Sequence, residues 1–118
     1  MSKTTLIFGL SLAIACAASA NDQPKPFKAE YTIYSGELGE ERPATRADRK
    51  LAVEVTGQAA KDIFESMYPD AGVACSDVKG ERLRSKKNLW CSYRPNDGYR
   101  CYLGFNLRTG DSITGASC

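Results

Sequence analysis

The stretch from Lys50 to Met67, KLAVEVTGQAAKDIFESM, contains the change of hydrophobic period that decides the fold. Every second residue of 51–55 is apolar, as in a half-buried β-strand. After Thr56 the apolar residues recur at the spacing of an amphipathic helix, at Ala60, Ile63, Phe64 and Met67. The stretch therefore predicts a strand that leads, through an N-cap at Thr56, into a helix over 57–67.

The segments on either side of this stretch predict further strands. Residues 27–35 alternate and are rich in aromatic and β-branched side chains, which favours a strand. The turn signal at 94–98, RPNDG, separates two alternating runs and predicts a β-hairpin. A short last strand is expected within 113–118, whereas 36–48 has the composition of a surface loop and 75–87 that of a basic connector.

These elements predict an α+β fold with one helix packed on an antiparallel sheet of about four or five strands. The core is expected from the apolar positions of the strands and the helix: Tyr31, Ile33, Leu51, Val53, Val55, Ala60, Ile63, Phe64, Met67, Leu89, Tyr93, Leu103, Phe105 and Leu107.

The amino-terminal residues 1–20 have the composition of a secretory signal peptide. Lys3 supplies a positive charge, and the apolar run from Leu6 to Ala15 is too short to span a bilayer. Ala18-Ser19-Ala20 fits a signal peptidase site. We therefore expect cleavage after Ala20 and export to the periplasm or the cell exterior.

A second interpretation of the same segment is a bacterial lipoprotein box. Ala13-Ile14-Ala15-Cys16 resembles that motif, although Ala13 stands where leucine is usual, and Cys16 would then carry a lipid anchor. Under either interpretation we expect a flexible leader over 21–26 and a single domain over 27–118. No apolar run after the signal approaches the length of a transmembrane helix.

Four cysteines follow the predicted signal: Cys75, Cys91, Cys101 and Cys118. An even number in a small exported domain predicts two disulfides. Three pairings are possible, and we expect Cys75–Cys91 with Cys101–Cys118 rather than Cys91–Cys101 with Cys75–Cys118. Zinc is not expected, because the sequence has neither a CxxC pair nor a histidine.

The composition argues against catalysis. Without histidine the chain lacks the commonest general base and the commonest metal ligand. Glu37, Glu40 and Glu41 lie in one loop and are the candidates for a carboxylate-based hydrolase. Three acidic residues in a glycine-containing loop are, however, more typical of a solvent-exposed loop than of a catalytic site. We therefore expect a non-enzymatic protein, with no catalytic residue and no cofactor.

Charge is distributed unevenly along the chain. The formal net charge is +2, yet eight basic residues stand against two acidic ones between Lys79 and Arg108. The residues of the predicted hairpin that point away from the core include Trp90, Arg94, Arg100 and Tyr102. These residue types dominate interface hot spots, and arginine makes forked hydrogen bonds to carboxylates. This face is therefore predicted to bind an acidic partner protein.

Three hypotheses follow for the function. The first is a small exported binding protein, possible forms being an inhibitor or an immunity protein, that uses this hairpin face. The second is an envelope or surface-associated protein that binds anionic glycan or lipid by diffuse charge. The third is the hydrolase. Nucleic acid is not expected as a partner, because an exported chain of small net charge carries none of its binding signatures. A plainer interpretation is that the face is only a solvated sheet surface, covered by the 36–48 loop.

Overall fold

The computed structural model describes residues 23–118 together with Thr4 and Gly9. Apart from those two, the predicted signal over 1–20, Cys16 and the first two residues of the predicted leader lie outside the described residues. The elements are β1 (Lys28–Ser35), β2 (Arg42–Pro43), β3 (Lys50–Thr56), α1 (Gly57–Glu65), β4 (Arg82–Lys86), β5 (Leu89–Arg94), β6 (Gly98–Asn106) and β7 (Ser112–Ile113).

The seven strands form one antiparallel sheet in the order β2-β1-β3-β6-β5-β4, and β7 pairs with β6. The α+β class is confirmed, but the sheet is larger than the predicted four or five strands. The additional strands are short or polar: β2 has two residues, and β4 reads RLRSK. The predicted basic connector over 75–87 therefore contains an edge strand, whose polar composition hides it from hydrophobic patterning.

The chain passes from β3 into α1 without a loop. Thr56 is extended and occupies the N-cap position as predicted, although its side chain makes no capping hydrogen bond. Gly57 has φ +71°, a value that costs glycine little and that lets the helix fold back over the sheet. The helix ends at Glu65, two residues earlier than predicted. It buries Ala60 and Phe64, and the ring of Phe64 meets that of Tyr99 edge-on at 5.2 Å between centroids.

The core lies between α1 and the central strands. Its buried members are Val55, Ala60, Phe64, Met67, Cys91 and Cys101. The side of the sheet that α1 covers is called the helix face, and the opposite side the outer face. Four expected core residues are instead exposed: Tyr31 (71%), Ile33 (44%), Phe105 (36%) and Leu107 (46%). They lie on or beside the part of the helix face that the nine-residue helix does not reach.

The disulfides join Cys91 to Cys101 and Cys75 to Cys118. The expected pairing of Cys75–Cys91 with Cys101–Cys118 is therefore wrong. Cys91 and Cys101 are direct cross-strand partners in the hairpin, so they bond across it, and the other two cysteines are left for each other. Two intramolecular disulfides are consistent with an oxidising, exported compartment.

The carboxyl-terminal segment lies against the outer face. The predicted last strand over 113–118 is reduced to β7, and the chain then passes close to β6. A Cβ on Gly104 would lie 2.7 Å from the carbonyl oxygen of Ile113 and 2.9 Å from Gly115 Cα. Glycine at 104 and 115 therefore permits an approach that side chains would block. The Cys75–Cys118 disulfide fastens the segment in this position.

Candidate functional site

The four residues predicted to bind a partner all lie on the outer face. Trp90 and Tyr102 are direct cross-strand partners, with ring centroids 4.4 Å apart and ring planes inclined by 32°. Arg100 and Arg94 follow on β6 and β5 toward the hairpin turn. The structure thus brings Trp90, Tyr102, Arg100 and Arg94 together on two neighbouring strands, in a patch called the hairpin row below.

Arg94 is engaged by a buried carboxylate. Its Nε donates to Glu81 Oε2 at 2.6 Å, and the Glu81 side chain is 1% exposed. Glu81 also accepts hydrogen bonds from the backbone of Cys75 and from the backbone and hydroxyl of Ser76. The Ser76 hydroxyl, with support from Arg94 and these amides, lowers the pKa of Glu81. The Glu81 carboxylate thus fixes the turn after Cys75, and Arg94 compensates its negative charge.

Arg100 is paired within the outer face. Its Nη1 donates to Glu54 Oε1, and its Nη2 lies 3.9 Å from Asp97 Oδ1. The hydrogen bond to Glu54 raises the pKa of Arg100. The Arg100 side chain is 38% exposed. Because Glu54, Asp97 and Glu81 compensate the two arginines, the hairpin row does not carry the excess positive charge of the segment.

Three basic residues of that segment, Lys86, Lys87 and Arg108, lie with Arg46 and Arg49 at one end of the sheet, called the cationic end. Five cations there have no ion pair within residues 23–118: Arg46, Arg49, Lys86, Lys87 and Arg108. Hydrogen bonds join the loops that carry them, from Arg108 Nη1 to the Arg46 carbonyl at 3.0 Å and from Asn88 Nδ2 to the Ser112 carbonyl at 2.9 Å. On the helix face, by contrast, Arg82 and Arg84 both bind Asp70.

Trp90 is partly covered. Its Nε1 donates to the carbonyl of Ala116 at 3.3 Å, and Leu38 of the 36–48 loop lines the same cleft of about 530 Å³. Both the segment after β7 and the 36–48 loop therefore cover Trp90, whereas the sequence predicted cover by the loop alone. Tyr102 is half-buried, and burial raises the pKa of its phenol.

The loop carboxylates that were candidates for a hydrolase lie on the surface. Glu37, Glu40 and Glu41 are all exposed. Glu41 Oε1 accepts the backbone N–H of Gly39 at 2.9 Å, and this bond lowers the pKa of Glu41. A glycosidase needs a carboxylic acid whose pKa is raised. The bond instead stabilises the turn of the loop.

Sequence reasoning missed an apolar surface on the helix face. Two cross-strand rows, Ile33–Leu51–Phe105 and Tyr31–Val53–Leu103, run from β1 to β6 beside α1. A groove of about 500 Å³ lies at their border with the helix, where Phe27, 62% exposed, forms part of its wall. One signal was present in the sequence, since a single short helix cannot cover a sheet of several strands. The face is a candidate interaction surface.

The outer edge of β1 adjoins this surface. β2 pairs with β1 only at Tyr34 and Ser35. Within residues 23–118, the backbone of Lys28–Ile33 has a strand partner only on its β3 side. This part of β1, called the open edge, presents the hydrogen-bonding groups that strand addition uses.

Comparison with family models, with curated proteins and with solved structures finds no match to this chain. Within residues 23–118, no helix has the length and apolar character needed to cross a bilayer.

Proposed function

We propose that this is a small exported, non-enzymatic binding protein that engages an acidic partner protein through the hairpin row. The observation that carries the proposal is the packed ring pair of Trp90 and Tyr102, next to the partly exposed side chains of Arg94 and Arg100 on the same face. A role as an inhibitor or an immunity protein suits a domain of this size.

Although Glu81, Glu54 and Asp97 balance the charge of the two arginines, the ion pairs hold the guanidinium groups in place for directed hydrogen bonds to a partner carboxylate. Arg94 uses Nε for Glu81, and Arg100 uses Nη1 for Glu54. These ion pairs already fix the conformations of both arginine side chains. A partner carboxylate that accepts hydrogen bonds from the remaining guanidinium N–H groups would therefore restrict few further rotamers, and binding would lose less conformational entropy. The packed rings add rigid area that loses little further entropy. Together these features favour a specific protein contact over diffuse attraction.

Affinity capture with matched variants tests this proposal. Trp90 holds the carboxyl-terminal segment and Arg94 holds Glu81, so the informative substitutions are Arg100→Gln and Tyr102→Ser. We expect the protein to retain an acidic protein from envelope and secreted extracts in moderate salt, and this double variant to lose at least about tenfold in affinity, as for two interface contacts of about 1 kcal/mol each.

The control is Lys86→Gln with Lys87→Gln, which removes charge from the cationic end and leaves the hairpin row intact. Equal retention by all three proteins would contradict the proposal. Equal melting temperatures of the double variant and the parent are needed to show that the loss reflects binding.

The second candidate, a protein that binds anionic glycan or lipid by diffuse charge, is favoured by one observation. The unpaired cations of the cationic end, among them Lys86, Lys87 and Arg108, form a surface separate from the hairpin row. Binding there would fall steeply between low and high salt. It would be lost in the Lys86→Gln, Lys87→Gln variant and kept in the hairpin-row variant, the reverse of the pattern expected for a protein partner.

A further inference from the structure

The open edge and the apolar rows form a surface that is independent of the hairpin row. The odd-numbered residues of β1, Ala29, Tyr31 and Ile33, face the same side as α1, and the even-numbered ones, Lys28, Glu30 and Thr32, face the other. Tyr31 is 71% and Phe27 62% exposed. A strand added at this edge would cover both aromatic side chains and satisfy the free backbone groups.

We propose that the occupant of the open edge is a second copy of this chain, with the two β1 strands paired antiparallel about a two-fold axis. Such an interface is isologous, so every contact occurs twice. The axis would run perpendicular to the sheet and make the two sheets continuous. Both helices would then lie on the same side of the extended sheet, with the two apolar rows adjoining across the interface.

The sequence of β1 complements itself in one register. When Ala29 lies opposite Ala29 of the second copy, Lys28 lies opposite Glu30 and Phe27 opposite Tyr31, each pair occurring twice. Opposite charges and aromatic pairs at directly opposed positions stabilise antiparallel strands. The register thus places two ion pairs on one face and two aromatic pairs on the other.

The neighbouring registers are less favourable. Centring the pair on Glu30 sets two carboxylates against each other, which destabilises a strand pair. Centring it on Tyr31 sets Glu30 opposite Thr32 and Lys28 opposite Tyr34, which already pairs with β2, so no ion pair forms. Exposed edges are commonly protected by charges that repel another copy. In β1, by contrast, Lys28 of one copy would attract Glu30 of the other in the antiparallel register centred on Ala29.

Charge exchange tests both the interface and its register. The protein is purified after expression of the full chain, and its mass in solution is measured by sedimentation over a range of concentrations. We expect a dimer that each of Lys28→Glu and Glu30→Lys weakens by about tenfold or more in Kd, because each creates two like-charge contacts. The double exchange, Lys28→Glu with Glu30→Lys, restores the opposite charges and should restore the dimer.

Lys79→Glu is the matched control, since it reverses an exposed charge in the connector, away from β1. It should leave the dimer unchanged. A monomer at all concentrations overturns the proposal, and so does a dimer that both single variants leave intact or that the double exchange does not restore. Because the hairpin-row variant keeps the open edge, failure here does not affect the proposed partner binding.

Discussion

Among the carboxylates of residues 23–118, Asp70 has the most strongly lowered pKa. Arg82, and then Arg84, hold its pKa well below the ordinary value of 3.8, at about 2, through hydrogen bonds of 2.7 to 3.1 Å. The same two guanidinium groups lie over the ring of Phe64. Asp70 thereby ties the chain beyond α1 to β4.

This pair of arginines gives Asp70 a predictable effect on acid stability. The unfolded chain binds the Asp70 proton near pH 3.8 and the folded protein only near pH 2, so the stabilisation is present above about pH 4 and is lost between about pH 4 and pH 2. We predict that Asp70→Asn lowers the stability to urea at neutral pH and that the variant and the parent converge near pH 2.

Asp77→Asn, an exposed acid of the connector, serves as the control and should leave the stability close to that of the parent at neutral pH. A difference between Asp70→Asn and the parent that persists undiminished at pH 2 would contradict the assignment.

Alternation alone placed the residues of the hairpin row correctly, but not their partners. Two-residue periodicity is a local property, so it assigns Trp90 and Tyr102 to one face without further information. Glu81 and Glu54 reach Arg94 and Arg100 across 13 and 46 residues of sequence. Such pairs depend on the strand register and on the connector's course, and neither can be read from the charges of a single segment.

Among the elements, the segment after β7 depends most on a covalent link. The Cys75–Cys118 disulfide spans 43 residues, and the chain-entropy model gives about 4 kcal/mol for a loop of that size. We predict that replacing both cysteines by serine lowers the free energy of unfolding by about this amount. The segment would also leave Trp90, the one tryptophan of the chain, so its fluorescence should shift to longer wavelength.

Ser117→Ala provides the matched control for the disulfide variant, because it changes an exposed neighbour of Cys118 and keeps the link. An unshifted emission maximum in the variant without the disulfide would show that the segment holds its place without it.

The hairpin and the two short strands show which elements sequence patterns can predict. The hairpin turn at 94–98 already implied the disulfide within it, because a register that pairs Arg94 with Gly98 also pairs Cys91 with Cys101. The short strands β2 and β7 carry no periodic signal, since two residues form a strand only when the register of their neighbours brings them alongside.

The predicted and the observed core differ because the helix covers only part of the apolar area of the sheet. Patterning identified apolar faces correctly, but it does not say what covers them. A nine-residue helix covers β6, β3 and β5, and Tyr31, Ile33 and Phe105 are left exposed. On the outer face, the 36–48 loop and the end of the chain bury Tyr34 to 2% instead. The coarse fold was therefore predictable, whereas the exposed apolar surface was not.

We propose that the hairpin row is the surface that meets a protein partner. A photo-crosslinking residue, p-benzoylphenylalanine, placed at Tyr102 in the full chain and activated in intact cells tests it most directly, with the same residue at Lys86 as the comparison. We predict one discrete adduct with an acidic protein from position 102 and none with that protein from position 86. The absence of an adduct at 102, or identical adducts from both positions, would contradict the account.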